Sequence, residues 1–453
     1  MRKVAFIGGA GVRTPLVIHG LAQAQADLDI GELVLFDASR ERADTIARLG
    51  REIVKRLGGG FDIRTAPTVE DAAEGADFVL NSIRVGGMVG RARDERIAIE
   101  HGLAGQETTG PAGAAMALRT LPVTIAQAKA VESVAPSAWF INFTNPAGLI
   151  TEALTHNTKL NIIGICDTPI ELFHRIAAAV GESFHEMTFE YAGLNHLGWV
   201  RRVLLRGEDI TERILSDSAL LRTIYSSDLF DPLLIQTMRL IPTEYLFFYY
   251  SQRKALANQI RAGASRGEEL QRMNVDLFQQ LDSEDAAQAL ATYRDYLNRR
   301  NSSYMKLETE AGSAFTAEQD PSNPFDAATG YHRIALDVMT GLVSDRPREV
   351  VVNVQNRGAI EDLEPQDIVE VPCDIDRNGA RPRRTGHLPE AVRGLVLSVK
   401  AYERTAIRAA LSGSGALAQL AMLEYPIVGQ WELARELLGA LIARDPAGLG
   451  YLK

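Results

Sequence analysis

Two places in this sequence combine residue types that could carry chemistry. Cys166, in Ile165-Cys166-Asp167-Thr168-Pro169, and His196, in Gly193-Leu194-Asn195-His196, are both ligand types for a borderline divalent metal. Two ligands fall short of the four that close a structural zinc site, so a metal here would keep positions open for substrate oxygens. Spacing alone leaves another reading: a cysteine packed as a small hydrophobe, with an unrelated histidine. Cys373, in Val371-Pro372-Cys373, has no histidine near it in sequence and reads as structural. The second place is the aromatic run Leu240 to Tyr250 (LIPTEYLFFYY). A tyrosine there could act as a base only where a cation lowers its pKa, since an unperturbed phenol near about 10 keeps its proton at neutral pH. The alternative is a helix burying an aromatic stripe. Arg84, Arg91, Arg93, Arg96 and Arg266 stand near glycines and suit phosphate or carboxylate, with plain solvation as the alternative.

Elements must position these groups, and the N-terminal part supplies a recognisable set. Lys3 to Gly8 (KVAFIG) reads as a strand, Gly8-Gly9-Ala10-Gly11 as a turn, and Thr14 to Ala24 as a helix. Such a turn lets backbone approach a pyrophosphate at the helix N-terminus, where unpaired N–H groups favour an anion. Gly9, Gly11, Val12, Arg13 and Thr14 are therefore candidate cofactor residues. A second strand, Glu32 to Phe36, ends at Asp37, near the ~20-residue spacing expected for a carboxylate on the ribose hydroxyls, which would repel a 2′-phosphate. NAD is thus favoured over NADP. Further strands at Phe78 to Ser82, Trp139 to Phe143 and Asn161 to Ile165 alternate with helices, which predicts a doubly wound parallel sheet binding its ligand at the strand carboxyl ends. Asn81 and Arg84, with Asn142 to Asn145, lie at such ends and are assigned to the nicotinamide side and the substrate.

The chain has 453 residues, 46% hydrophobic and 23% charged, enough for a large core. A formal charge of −10 offers no basic field for nucleic acid, so an anionic substrate must be held by a few local arginines. No apolar run reaches spanning length, and Met1-Arg2-Lys3 leads straight into strand-like residues, so the expectation is a cytoplasmic protein with no membrane partner.

Taken together the motifs resemble glycoside hydrolase family 4, the NAD- and metal-dependent glycosidases that depart from two-carboxylate chemistry. The resemblance is carried in order by Gly8-Gly9-Ala10-Gly11-Val12-Arg13-Thr14-Pro15, Arg84-Val85-Gly86-Gly87, Asp94-Glu95-Arg96, Gly105-Gln106-Glu107-Thr108-Thr109-Gly110-Pro111, Asn142-Phe143-Thr144-Asn145-Pro146, Ile165-Cys166-Asp167, Gly193-Leu194-Asn195-His196 and Pro242-Thr243-Glu244-Tyr245-Leu246. It implies that Cys166 and His196 bind a divalent ion, typically manganese, and that Tyr245 is the base. It also implies Asn145 as a sugar-binding residue, with Glu107 and Asn195 beside it, and Arg96 and Arg266 as the grip on a 6-phosphate. Asp167 is the candidate acid for the leaving oxygen, with solvent as the alternative. The implied reaction is hydrolysis of a 6-phospho-β-glucoside, a disaccharide or aryl glycoside, through C3 oxidation, C2 deprotonation, elimination, water addition and re-reduction. Asp167 resembles α-acting members, whereas the Arg84 to Gly87, Gly105 to Gly110 and Asn142 to Pro146 stretches resemble β-acting ones. A galacturonide substrate within the family, a hydroxy-acid dehydrogenase and an NAD-binding sensor are the other readings.

The expected architecture is an N-terminal Rossmann domain over 1–168 and a C-terminal α+β catalytic domain over 169–453. Within the second, helices at Phe230 to Tyr250 and Gly267 to Gln280 close the site, strands lie at Glu349 to Val354 and Asp367 to Val371, and helices fill Pro389 to Ala443. The resemblance implies a homodimer or homotetramer.

Overall fold

Short apolar runs set the centre of the molecule. Six of them form parallel strands: β1 (Arg2–Ile7), β2 (Ile30–Phe36), β3 (Asp62–Thr65), β4 (Phe78–Asn81), β5 (Trp139–Asn142) and β6 (Asn161–Gly164). Their order, β3-β2-β1-β4-β5-β6, is the doubly wound dinucleotide-binding order, with the topological switch between β1 and β4. Helices cover both faces, so β1 and β4 are buried almost throughout and read as continuous apolar runs, as parallel strands do. The computed structural model describes residues 1–225, 229–283, 285–304, 324–326 and 330–453.

The sheet does not stop at β6. β11 (Arg348–Gln355) joins it antiparallel where Asn353 pairs with Gly164, and β12 (Ile368–Asp376) follows antiparallel to β11. β12 then meets β7 (Met187–Leu194) at Glu370–Gly193, and β7 forms a hairpin with β8 (Leu197–Leu205). Three short strands complete it: β9 (Glu208–Asp209) and β10 (Ile241–Pro242) on β8, and β13 (Gly379–Pro382) on β12. One hydrophobic cluster runs from Val4 to Leu452 under the whole sheet.

Expected and observed elements differ most at 230–250. In place of one helix there is Pro232–Met238, then β10, a 3-10 turn at Glu244–Leu246, and a short helix Phe247–Tyr250. The first helix stops at Arg239, whose φ of 58° is left-handed, and Pro242 lacks the N–H a helix interior needs. The aromatic density is real, but it packs as a turn on β8. The helix Arg266–Ser283 and the strands β11 and β12 fall where expected, and the C-terminal span holds three longer helices, Glu390–Ser412, Gly415–Glu424 and Trp431–Arg444. Among the described residues no helix is long and apolar enough to cross a membrane.

Candidate active site

At the switch point the turn after β1 brings backbone to the edge of a cavity of about 740 Å³. Gly8 has φ +85°, and a Cβ on it would lie 2.2 Å from the Ser82 carbonyl oxygen at the end of β4, so only glycine fits. Gly11, Val12, Arg13 and Thr14 line the cavity. Gly9 does not: a Cβ there would come 2.8 Å from Leu35 Cβ, so its missing side chain serves packing against β2. Asp37 lines the cavity at the end of β2, and its carboxylate accepts from the amides of Ala10 at 3.1 Å and Ser39 at 2.9 Å. That cradle and carboxylate fit a dinucleotide with a free ribose 2′-hydroxyl. The helices Arg266–Ser283 and Ala286–Ser302 supply a roof through Asn274, Phe278 and Leu297.

Asn81 is placed differently from its sequence assignment. It is fully buried, and its Nδ2 donates to Asn142 Oδ1 at 3.0 Å and to the Thr124 and Thr144 hydroxyls at 3.2 Å. A strand-end asparagine can point into the sheet as readily as out of it. Here it holds the Asn142–Asn145 loop, which carries Asn145 to the cavity wall. The Asn145 Oδ1 is buried without a hydrogen-bond partner among the described residues. Arg84 does reach the cavity, where it pairs with Glu107 at 2.6 Å, and Arg91 pairs with the same oxygen at 2.7 Å. Burial would raise the Glu107 carboxyl, but Arg91, Arg84 and Arg13 overcome it and hold Glu107 well below the usual carboxylate range.

Next to this cavity lies a pocket of about 120 Å³ that shares Arg13, Arg91, Glu107, Asp167, Glu171, Arg300, Asn301, Tyr331 and Leu270 with it and adds Tyr245, Arg175, Arg266 and Tyr304. Cys166 sits just past β6, with its thiol donating to Thr168 Oγ1 at 3.3 Å. His196 occupies the two-residue turn between β7 and β8 with a left-handed φ of 60°. Its ring stacks on Tyr245 with centroids 3.7 Å apart and planes 4° off parallel. Both imidazole nitrogens are buried with no hydrogen-bond partner among the described residues, and burial pushes the ring pKa down to about 3. A neutral imidazole with unsatisfied nitrogens is poised to ligate. Burial, then Glu370 and Asp167, push the Cys166 thiol well up, a penalty that a divalent cation would reverse. The donor set therefore fits a metal with open positions, and no group of three or more ligands forms among the described residues.

Tyr245 lies in the 3-10 turn Glu244–Leu246, and Tyr304 donates toward its hydroxyl at 3.4 Å. Burial foremost, then Glu107, raises the Tyr245 phenol well above its ordinary value, so it holds its proton unless a cation is brought beside it. Asp167 follows Cys166 and precedes the helix Thr168–Val180; burial lifts its carboxyl to about 6, against the pull of Arg13 at 4.0 Å.

The remaining substrate candidates divide. Asn195 stands behind the wall, accepting from the Ala147 amide at 2.9 Å and donating to Glu370 at 3.2 Å. Arg266 lines the smaller pocket and also donates to Ser303 Oγ at 2.7 Å and the Arg300 carbonyl at 2.8 Å. Arg96 does not face either cavity: its Nε donates to Glu268 at 2.9 Å, across to the helix Arg266–Ser283. Spacing could not separate Arg96 from Arg91, which lies on the inner face of the same helix, Gly87–Glu100. Arg300 and Glu171 line both cavities and were not singled out from sequence. Arg300 sits in the polar helix end Leu297-Asn298-Arg299-Arg300, which by composition looks like surface; Glu171 is one helical turn beyond Asp167, a spacing that could have found it.

A dinucleotide cradle joined to a pocket lined by Tyr245, carboxylates and several arginines, with His196 stacked on that tyrosine, defines a Rossmann-type enzyme. The family 4 glycosyl hydrolase model matches residues 3–182 and the family 4 glycosyl hydrolase C-terminal domain matches residues 191–428; the chain belongs to this family. It is 31% identical over 441 residues to a 6-phospho-beta-glucosidase of Escherichia coli K12, covering 94% of this chain and 91% of that one. It is 26% identical to the phospho-alpha-glucosidase PagL of Clostridium acetobutylicum, covering 99% and 98%. Among solved structures it matches the 6-phospho-beta glucosidase of Thermotoga maritima, determined with manganese, NAD+ and glucose-6-phosphate, at TM-score 0.82 and 27% identity over all of both chains.

Proposed function

We propose that this chain hydrolyses 6-phospho-β-glucosides with NAD and a divalent ion, manganese by preference. The observation that carries the reading is the junction of the two cavities, where Asp167 belongs to both linings and Tyr245 faces the pocket next to the dinucleotide cradle. The relatives named as β-acting are also more similar to the chain than the α-acting one.

Cys166 and His196 would hold the metal, and the turn from Gly8 to Thr14 with Asp37 would hold NAD. When bound, NAD⁺ supplies reversible hydride acceptance at C3 of the sugar, and the metal supplies Lewis acidity toward the sugar oxygens. With C3 at the ketone level the C2 proton becomes acidic, and Tyr245 takes it. Asp167, whose carboxyl burial lifts to about 6, keeps a proton in a minority of molecules at neutral pH and in that form gives it to the leaving oxygen as the C1–O bond breaks. Water then adds at C1 and Tyr245 returns a proton to C2; bound NAD would supply the reduction of C3 that leaves no net redox. Asn145 and Glu107 orient the sugar hydroxyls, and Arg266 with Arg300 receives the 6-phosphate, bidentate geometry being the reason for arginine. Asn195 serves the site from behind its wall.

On this reading residues 1–168 form the cofactor domain and 169–453 the catalytic domain. The protein works in the cytoplasm as a homodimer or homotetramer, which light scattering on the purified chain would test. For the activity, p-nitrophenyl β-glucoside 6-phosphate is offered beside its α anomer and both unphosphorylated sugars, with NAD⁺ and Mn²⁺ each present or omitted. Cleavage of the phosphorylated β substrate alone, only with both cofactors and without NADH build-up, is expected. Cleavage confined to the α anomer reverses the anomer, and NADH accumulating with a hydroxy acid replaces the glycosidase with a dehydrogenase.

A further inference from the structure

Outside the linings of both cavities lies a buried carboxylate that the reaction does not use. Glu370 is 1% exposed and sits on β12 where that strand is paired with β11 on one side and meets β7 on the other. Three donors converge on it: Tyr191 Oη at 2.7 Å, Asn353 Nδ2 at 2.9 Å and Asn195 Nδ2 at 3.2 Å. Asn353 and Gly193 are its direct cross-strand neighbours, so the carboxylate stands directly behind the turn that begins two residues after Gly193.

The Asn195 partner has the most to say about the site. Asn195 and His196 are the whole of the β7–β8 turn, and His196 holds a left-handed φ that costs a non-glycine residue about 1 kcal/mol or more unless its surroundings impose it. Among the described residues no hydrogen bond to the His196 ring contributes to that. What fixes the turn is the side chain of Asn195, held by Glu370 at its Nδ2 and by the Ala147 amide at its Oδ1. Ala147 starts the helix Ala147–Asn157, two residues after Asn145, so one amide side chain links the imidazole-bearing turn to the Asn145 loop. There is no room to relax there, since a Cβ on Gly148 would lie 3.1 Å from Asn195 Cβ.

We propose that Glu370 is a positioning residue for the metal site: through Asn195 it sets the His196 turn against Cys166 and keeps the Asn145 loop in register with both. The inference rests on the reading of Cys166 and His196 as metal ligands. Outer hydrogen-bond partners of this kind change metal affinity by about 10- to 100-fold when removed.

The test measures Mn²⁺ affinity of the NAD⁺-loaded protein by electron paramagnetic resonance, with NAD⁺ affinity measured separately by fluorescence. Glu370→Ala is expected to weaken Mn²⁺ binding about 10- to 100-fold while NAD⁺ affinity stays within about 2-fold. Glu370→Gln, whose carbonyl still accepts from Asn195, is expected to restore Mn²⁺ affinity to within about 3-fold of the parent. Should Glu370→Ala not fold, Asn195→Asp sets two carboxylates against each other, and adding E370Q reinstates the bond with donor and acceptor exchanged; loss in the single variant and recovery in the double is expected. Unchanged Mn²⁺ affinity in Glu370→Ala, or no recovery in the double variant, overturns the proposal. A parent protein that binds no Mn²⁺ overturns the metal-site reading itself.

Discussion

The cofactor half and the catalytic pocket share one sheet but use it in opposite ways. Around β1 to β4 the chemistry belongs to backbone: a glycine turn, amides at a helix start, and one carboxylate held by two of those amides. Around β6, β7 and β12 it belongs to side chains taken far from their ordinary states, with a thiol and a phenol pushed up and an imidazole pushed down by burial. The first region would bind its ligand with groups that are already correct. In the second, burial keeps the thiol, the phenol and the imidazole neutral, and a bound cation would be needed to favour their charged or ligating forms.

That contrast can be broken by substitution. Tyr245→Phe removes only a hydroxyl, and kcat is expected to fall about 10²- to 10⁴-fold with NAD⁺ affinity unchanged; steady-state rates with fluorescence titration check both, and parallel loss of NAD⁺ binding would merge the two regions. In the backbone region the damage should be structural instead. Gly8→Ala combines a positive φ with a 2.2 Å clash and is expected to lower stability by roughly 2–4 kcal/mol, whereas Gly11→Ala, whose nearest contact is 3.3 Å, should lose under about 1 kcal/mol, as read from urea denaturation.

Two smaller effects sharpen the picture within the pocket. Arg300→Met should raise KM for the phosphorylated substrate about 10- to 100-fold, and Arg96→Met less than about 3-fold, since Arg96 is paired outside the cavities. Equal effects would return Arg96 to the phosphate. Glu107 gives a pH signature. Its folded carboxyl binds a proton only well below the ordinary 4.5, so the stabilisation from its arginines is fully present above about pH 4.5 and is lost as pH falls. Glu107→Gln should therefore differ from the parent in urea midpoint at pH 7, and the gap should begin to narrow once pH falls below about 4.5; a constant gap would show that the charge is not the cause.

Local pattern carried much of this. β1, the glycine turn and Asp37 are consecutive or at a fixed spacing, so sequence could reveal them. Asn81 reads from sequence as a cofactor residue, yet period-2 alternation says which face a residue takes but not whether a strand-end side chain turns inward to a neighbour such as Asn142, as this one does. The aromatic run at 240–250 reads as a helix by its density, but Ile241 and Pro242 pair with β8 as β10 instead. Glu370 and Arg300 carried no signal at all. Their roles arise from packing between segments more than a hundred residues apart, as Glu370 with Asn195 shows.

Removal of the C2 proton separates this chemistry from direct displacement at C1. We would run the hydrolysis of a 6-phospho-β-glucoside in D₂O with NAD⁺ and Mn²⁺ and examine the glucose 6-phosphate by proton NMR. Deuterium at C2 of the product, at up to one atom per turnover, is the predicted result. Product that keeps its C2 hydrogen at the same rate of cleavage would contradict the account, because direct displacement at C1 never touches C2.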